Sequence, residues 1–207
     1  MDDIEKLFRA RRNVLDMMKD RGYNIPLELN INTKEELKRR YYAKTLDFII
    51  PVSPKDKLQP VFIKWVIAIK TKPNAVKEMI DTIQSQHADL PEPNITPKIM
   101  LIFKTKPNTN ILKILKEKEY KGNEMFWLNN LVINITHHFL VPKHEKITED
   151  EIKKLMIELY ITNRLNLPVM LKTDPIARYL DLSSGDVVRI TRFSPTSGQY
   201  FSYRVVK

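Results

Sequence analysis

The 207-residue sequence contains no cysteine, only four glycines and no long apolar run. The lack of cysteine excludes disulfides, thiolate zinc sites and thiol catalysis, and it fits a reducing compartment. No segment approaches the roughly 20 apolar residues that span a bilayer. The N-terminus begins acidic and amphipathic, unlike a signal peptide. We therefore expect a soluble protein that remains inside the cell.

The scarcity of glycine also limits the chemistry that the chain can perform. No GxxxxGK[ST] or GxGxxG motif is present, which argues against a phosphate-cradling nucleotide loop. The serines of residues 183–185 and Ser194 form no G-x-S-x-G elbow and fit turns instead. His137, His138 and His144 lie close in sequence but lack a recognisable ligand spacing. We expect no catalytic residue, metal, cofactor, small-molecule substrate or membrane partner.

What the sequence has in excess is positive charge, with a formal net charge of +10. Such a field favours a polyanion, with nucleic acid the first candidate and an acidic protein surface the second. Basicity that only aids solubility or assembly is the third reading. Because 43% of the residues are apolar and 29% are charged, the chain can bury a core. Its length favours two modest domains over one long domain.

The pentapeptide KTKPN occurs twice, at residues 70–74 and 104–108. Each copy follows an apolar segment typical of a strand and precedes a helical pattern, and its proline and asparagine suit a helix start. Two strand-loop-helix units in succession predict an α/β layer with near-parallel strands and both loops at one edge. Lysines beside helix N-termini attract phosphate, so this edge is our candidate nucleic-acid surface. Chance repetition in a chain rich in Lys, Thr and Asn is the alternative.

Other signals in the first half predict two helices and two more strands. An amphipathic helix ends at Gly22, and Thr33 with Glu36 predicts a capping box for the next helix. Residues 45–52 and 131–136 are predicted strands. Pro142 and the charges that follow it place the domain boundary between domains 1–142 and 143–207.

The second half predicts a small α+β domain. Thr148 and Glu151 indicate a further capping box. Asp174 is a natural N-cap before Pro175, in a short helix that places Ala177 on the side away from the core. Two final strands, residues 187–193 and 200–206, predict a terminal β-hairpin.

A basic α/β domain also suggests a nuclease, which would need paired carboxylates to hold a divalent metal. Asp47 lies in a predicted strand, and Lys64 lies in the neighbouring one. Phe62 stands where a second metal-binding acid would be needed. Because one carboxylate holds magnesium poorly, the sequence argues against nuclease activity.

Six ordered segments of the second half carry a resemblance to a known family. They are HFLVPKH (138–144), LP (167–168), DPIARY (174–179), GDVVRITR (185–192), SPTSGQY (194–200) and YRVV (203–206). In order and spacing they resemble the assembly domain of the fifth small subunit of eukaryotic RNA polymerases, a domain that makes up the whole of the archaeal counterpart. Weaker similarity covers residues 11–23, 45–48 and 131–138, so the whole chain resembles the eukaryotic two-domain form.

The resemblance implies a non-catalytic polymerase subunit with two domains. Its jaw domain, similar to a nuclease fold without an active site, would lie near downstream duplex DNA, and its C-terminal domain would pack on the largest subunit. The residues implied to lie near DNA are Lys70, Lys72, Pro73, Lys104, Lys106 and Pro107. The residues implied in assembly are His138, Pro142, His144, Pro168, Asp174, Pro175, Arg178, Tyr179, Gly185, Arg192, Gly198, Tyr200, Tyr203 and Arg204.

The chain departs from the family at one turn and in its overall divergence. Asp181 stands where the family usually has glycine, a change that bears on the local turn geometry. The divergent first half and the Lys-, Asn- and Ile-rich composition favour a large DNA virus over a protist. The expected location is the nucleus for a cellular protein, and the host cytoplasm and virion for a viral one. A free-standing basic nucleic-acid-binding protein is the alternative function.

Overall fold

The structure, a computed structural model, describes residues 2–51, 58–68, 71–86, 97–115, 117–194, 196 and 198–207. It divides the chain into two compact units, Met1–Ile133 and Asn134–Lys207. In the part of the chain that is described, no helix has the length and apolar character needed to cross a bilayer.

The N-terminal unit is built on a four-stranded sheet with strand order β1-β2-β3-β4. Strand β1 runs antiparallel to β2, whereas β2, β3 and β4 are parallel. Its elements are α1 (Asp3–Asp20), a 3-10 turn (Leu27–Leu29), α2 (Lys34–Tyr42), β1 (Phe48–Ile50), β2 (Val61–Val66), α3 (Pro73–Gln86), β3 (Lys98–Phe103), α4 (Thr109–Ile114), β4 (Glu124–Trp127) and α5 (Leu128–Leu131).

Helices cover both faces of this sheet. Val76 of α3 and Ile111 of α4 share one apolar cluster with Leu101 of β3. On the opposite face, Leu7 of α1 lies beside Ile102, the next residue along β3. Strand β3 is buried on both faces, as expected of a parallel strand between helical layers. The predicted α/β layer with parallel central strands is confirmed.

Helix α1 forms as the predicted amphipathic helix. Its apolar residues recur at helical spacing, so one face is buried against the unit, and most of its charged residues are exposed or half-buried. Arg11 differs from the other charged residues: it is 2% exposed, and its guanidinium donates to the carbonyl of Leu46 at 3.0 Å. At its end, Gly22 adopts φ +92°, and the amide of Tyr23 donates to the carbonyl of Met18 at 3.0 Å. This pattern is a Schellman motif, in which glycine adopts the left-handed backbone conformation without a Cβ clash.

The start of α2 is only half of the predicted capping box. The Thr33 hydroxyl accepts from the Glu36 amide at 3.3 Å. The Glu36 carboxylate, however, accepts from Arg40 at 2.9 Å one helical turn ahead. A charged partner at i+4 competes with the neutral Thr33 amide, so this carboxylate is directed along the helix rather than to its start.

The predicted strand at residues 131–136 is wrong. Leu131 ends α5, and Ile135–His137 forms a 3-10 turn. Asn134 begins that turn, and its side chain accepts from the Thr136 amide at 3.0 Å. Local capping by asparagine therefore overrides the apolar alternation. The last strand of the sheet is instead Glu124–Trp127, whose four residues gave no clear alternation in the sequence.

The C-terminal unit carries a second sheet with strand order β5-β7-β8-β6. Strand β7 pairs antiparallel with β5 and β8, while β6 is parallel to β8. Its elements are a 3-10 turn (Ile135–His137), β5 (Lys143–Lys146), α6 (Glu149–Glu158), a 3-10 turn (Arg164–Asn166), β6 (Val169–Met170), α7 (Pro175–Tyr179), β7 (Val187–Ser194) and β8 (Gly198–Val206). The predicted α+β domain with a terminal hairpin is confirmed.

Helix α6 begins with the predicted capping box in full. The Thr148 hydroxyl accepts from the Glu151 amide, and the Glu151 carboxylate accepts from the Thr148 amide at 2.8 Å. Ile152 and Leu155 then pack in a cluster on one face of the sheet. The capping residues therefore define both where α6 starts and which face it buries.

Helix α7 starts as predicted but is buried on more sides. Asp174 caps it by accepting from the Ile176 amide at 2.8 Å, and Pro175 follows at the first turn. The prediction that Ala177 faces away from the core is wrong, since Ala177 is only 1% exposed and joins the cluster on the other face of the sheet. A five-residue helix enclosed by the chain around it buries more than a single stripe. Asp181 ends the helix at φ +53°, a left-handed position that aspartate tolerates better than most residues.

The division between the units lies nine residues before the predicted boundary at 142/143. Asn134 donates to the Tyr179 hydroxyl at 3.2 Å. Ile135 and Val141 pack against the buried cluster that contains Ala177. The segment before Pro142 thus belongs to the C-terminal unit, because Ile135 and Val141 are partly buried against its core.

Candidate nucleic-acid edge and assembly groove

The carboxyl ends of β2 and β3 meet at one edge of the N-terminal sheet. The amide of Lys104, directly after β3, donates to the carbonyl of Val66 at the end of β2. The second KTKPN copy continues from Lys104 to Asn108, which caps α4. In the first copy, Lys72 directly precedes α3, and Pro73 is the first residue of the helix. Lys70 lies outside the described residues. Both loops therefore lead into helices from the same edge, as predicted.

The lysines of this edge differ in how far their charge is compensated. Lys104 forms an ion pair with Asp3 at 2.7 Å, and this hydrogen bond raises the pKa of Lys104. The ammonium of Lys106 lies 5.0 Å from the centre of the Trp127 ring, a cation-π contact that leaves its positive charge uncancelled. Lys72 is exposed, and no acidic group of the described residues pairs with it. Pro73 and Pro107 are half-buried. Lys72 and Lys106 thus offer the uncompensated charge.

Asp47, the one carboxylate considered for a nuclease, is held by its own chain. One oxygen accepts from the Lys64 ammonium at 2.6 Å, and the other accepts from the Trp65 amide at 2.8 Å. Phe62 precedes Lys64 by two positions on β2, where a second acid would be needed. Within the described ranges, no three His, Asp or Glu side chains are grouped so as to hold a metal ion. Asp47 therefore links β1 to β2.

The C-terminal unit has a groove of about 470 Å³ beside β6. Val169, Met170, Leu171, Thr173 and Ile190 line it together with five residues of the assembly set, Pro142, His144, Asp174, Arg192 and Arg204. Apolar side chains and two guanidinium groups thus face the same space. Such a mixed lining suits a protein segment that carries both apolar and acidic side chains.

His144 and Arg204 are oriented by backbone carbonyls. Nδ1 of His144 donates to the carbonyl of Pro142 at 2.7 Å, and Arg204 donates to the carbonyl of Val169 at 3.0 Å. Burial lowers the pKa of His144, as do the nearby Arg192 and Arg204, and these effects outweigh the Pro142 carbonyl and Asp174. His144 is therefore neutral at pH 7, and the positive charge of the groove comes from its arginines.

The other residues of the assembly set are dispersed over the unit. Gly185 and Gly198 adopt positive φ, Gly185 two residues before β7 and Gly198 at the first residue of β8. His138 stacks on the ring of Phe139 at 5.2 Å. Four of the remaining residues take part in the fold: the Pro168 carbonyl accepts from the Val205 amide, Pro175 begins α7, Tyr179 is buried, and Tyr203 packs on the buried cluster of α6. Arg178 is half-buried and interacts within the chain, and Tyr200 is exposed.

Sequence reasoning missed the apolar part of the groove and the exposed rings of the hairpin. Leu171 is 62% exposed at the groove, and Phe193 is 80% exposed near the end of β7. Phe201 of β8 lies under the Arg189 guanidinium at 5.7 Å. The available signal for the rings was in the hairpin itself, where large apolar residues continue along β7 and β8 toward the turn. Near the turn the strands extend beyond the core, so such residues are exposed.

Comparison with known proteins agrees with this two-unit arrangement. The family model described as RNA polymerase Rpb5, N-terminal domain, matches residues 1–119, and the model of the Rpb5 C-terminal domain matches residues 133–206. The chain is 32% identical over 216 residues to DNA-directed RNA polymerase subunit 5-like protein 1 of Arabidopsis thaliana, covering 98% of this chain and 96% of that protein. It is 30% identical over 209 residues to the subunit rpabc1 of DNA-directed RNA polymerases I, II, and III of Dictyostelium discoideum, covering 99% of each. The resemblance stated from the sequence is confirmed, and the chain belongs to the RNA polymerase Rpb5 family.

Proposed function

We propose that the protein is a non-catalytic subunit of a multisubunit DNA-directed RNA polymerase. The observation that carries this proposal is the match to both Rpb5 domains in order, over nearly the whole chain. Of the relatives that align from end to end, one is named as a polymerase subunit and another as a polymerase subunit 5-like protein. The engagement of Asp47 by Lys64 and Trp65 supports a structural rather than catalytic use of the jaw. Its location follows the polymerase, in the nucleus of a cell or in the host cytoplasm and virion of a virus.

The C-terminal unit assembles on the largest polymerase subunit in this proposal. Its groove offers two arginines among apolar side chains, and these groups suit a partner segment with acidic and apolar residues. Arg204 is oriented by the Val169 carbonyl, so part of the groove is preorganised. Preorganised donors lower the entropy that ordering costs on binding.

The N-terminal unit lies at the lower jaw around downstream DNA in the same proposal. Lys72 and Lys106 contact the phosphate backbone, because among the described lysines of the two KTKPN loops they are exposed and form no ion pair. Lys104 has a smaller effect, since Asp3 already neutralises its charge. Phosphate contacts of this kind depend steeply on salt and hardly on sequence.

Native pull-down of the tagged full-length chain, followed by mass spectrometry, tests the assembly. A large polymerase subunit is expected at near-stoichiometric yield. Its absence would contradict the proposal and favour a free-standing nucleic-acid-binding protein. Arg192→Glu and Arg204→Glu should lower the yield of the largest subunit, because they reverse the charge of the groove.

Crosslinking of the assembled polymerase to downstream DNA tests the jaw. Lys72→Glu with Lys106→Glu should weaken crosslinking while the subunit stays bound. The matched control is Lys118→Glu with Lys121→Glu, which has the same net charge but changes two exposed lysines before β4, at the opposite end of the parallel strands. Equal crosslinking by the loop variant and the parent would refute the assignment of the loops.

A further inference from the structure

Helix α2 presents a basic face that the KTKPN loops do not include. Lys38 and Arg39 lie four and three residues before Tyr42, so the three side chains are neighbours on the helix surface. All three are exposed, and Tyr42 is 70% exposed. Leu37 is buried on the other side. Among the described residues, no acidic group pairs with Lys38 or Arg39.

Lys44 follows this face in a conformation that lysine adopts at a cost. Its φ is +57°, and the amide of Thr45 donates to the carbonyl of Arg40, as in a Schellman motif. Glycine is the residue that best fits this position, because a Cβ crowds the left-handed backbone. The Lys44 side chain is exposed, and the described residues offer it no acidic partner. A cation in a strained backbone conformation, with no ion pair to the described acidic groups, suggests a role outside the fold.

Tyr41 places this end of α2 next to the edge of the sheet that carries the loops. Tyr41, Trp65 and Lys104 line one small cavity at the carboxyl ends of β2 and β3. The ring of Tyr42 packs edge-to-face on Tyr41, with 5.5 Å between the ring centres. The C-terminal end of α2 therefore lies near Lys104, with Tyr41 beside the same cavity.

We propose that Lys38, Arg39, Tyr42 and Lys44, called here the α2 strip, bind the phosphate backbone of duplex DNA and extend the surface formed by the two loops. The inference rests on the proposed jaw function and adds a second set of contacts to it. Three cations that form no ion pair with the described acidic groups favour a polyanion, and the exposed tyrosine hydroxyl can donate to a phosphate oxygen. The helix holds Lys38, Arg39 and Tyr42 at a fixed spacing.

Binding of the full-length chain to a fluorescent duplex of about 30 base pairs, followed by anisotropy over a range of salt concentrations, tests the α2 strip. Lys38→Gln with Arg39→Gln should weaken binding roughly three- to tenfold and reduce the slope of log affinity against log salt by about 2. Lys118→Gln with Lys121→Gln removes the same charge before β4 and should leave both quantities close to those of the parent.

The Lys44→Gly variant distinguishes a loss of DNA binding from a loss of folding, because it should raise thermal stability while it lowers DNA affinity. The substitution relieves the left-handed strain, so the thermal unfolding temperature should rise. It also removes a phosphate contact, so affinity should fall roughly two- to threefold and the salt slope by about 1. The control Tyr160→Gly relieves a similar strain in the C-terminal unit and should leave DNA binding unchanged.

The loop variant Lys72→Gln with Lys106→Gln, measured in parallel, distinguishes the two proposals. If the loop variant binds DNA more weakly than the parent and the α2 variants bind it as the parent does, the proposal for the α2 strip is wrong and the proposal for the loops stands. Parental binding by every variant would overturn both DNA assignments. If the α2 variants bind DNA normally but are lost from the polymerase in the pull-down, the strip contacts protein and the inference is wrong.

Discussion

Glu124 joins two cations in the interior of the N-terminal unit. Its carboxylate accepts from Arg21 at 2.8 and 2.9 Å, and its other contact is an ion pair with Lys98 at 2.8 Å. The Arg21 side chain is only 4% exposed. Glu124→Gln should cost about 3–5 kcal/mol of unfolding free energy at neutral pH, because it removes the negative charge that Arg21 and Lys98 contact in the interior. Urea unfolding measures this difference, with the exposed Glu119→Gln as a control close to the parent.

The same carboxylate predicts how stability changes in acid. Burial by itself raises the pKa of Glu124, but the charges and hydrogen bonds of Arg21 and Lys98 outweigh burial and hold the pKa below its ordinary value of 4.5. The folded state therefore gains stability from ionised Glu124 above that value and loses it as the pH falls through the lowered pKa. The difference between parent and Glu124→Gln should narrow in urea titrations below pH 4.5. A constant difference down to about pH 3 would contradict this assignment.

Tyr160 ends α6 in the left-handed region, with φ +52° and 95% of its surface exposed. Tyr160→Gly should stabilise the protein by about 0.5–1 kcal/mol, because glycine adopts this backbone without a Cβ clash. Differential scanning calorimetry measures the gain. Tyr160→Ala keeps the clash and should show no such gain, so equal stabilisation by both substitutions would exclude backbone strain as the cause.

At the scale of elements, the two threonine caps contribute unequally to the stability of their helices. Thr148 and Glu151 form a reciprocal pair at α6, whereas Thr33 at α2 receives no return bond because Glu36 binds Arg40. Thr148→Ala should cost about 1–2 kcal/mol and Thr33→Ala about 0.5–1 kcal/mol in unfolding free energy. Denaturant unfolding of the two single variants tests the order, and a larger loss for Thr33→Ala would contradict it.

The order of elements also explains the charge of the jaw edge. Parallel β2 and β3 must end at the same edge, so the parallel pairing alone brings both KTKPN loops to it. Helix α2 reaches that edge by a different route, through Tyr41. A local repeat therefore predicts the loops, but only packing brings the α2 strip beside them.

At the scale of the whole molecule, the boundary between the units predicts which fragments fold. A fragment of residues 134–207 keeps the hydrogen bond from Asn134 to Tyr179 and the packing of Ile135 and Val141. A fragment of residues 143–207 loses all three and leaves buried surface exposed. The longer fragment should show a cooperative thermal transition at a temperature at least several degrees higher. Identical transitions would place the boundary at 142/143 after all.

The sequence alone determined the features that depend on a few neighbouring residues. Capping at Thr148 and Asp174, the Gly22 helix end and the strand-to-helix position of KTKPN could be predicted because each uses bonds within about one helical turn or one strand. The family resemblance came from ordered C-terminal segments in the same way. The predicted strand at 131–136 was wrong because the side chain of Asn134 caps a 3-10 turn, and this local hydrogen bond overrides the apolar alternation.

Only the tertiary structure decided which charges remain available. Lys104 and Asp3 are 101 positions apart in the chain, yet their ion pair removes one lysine from the candidate DNA surface. Asn134 and Tyr179 are 45 positions apart, and their hydrogen bond helps place residues 134–142 in the C-terminal unit. Sequence periodicity carries no record of such pairs, because they form when two distant elements pack and their remaining polar groups must find partners.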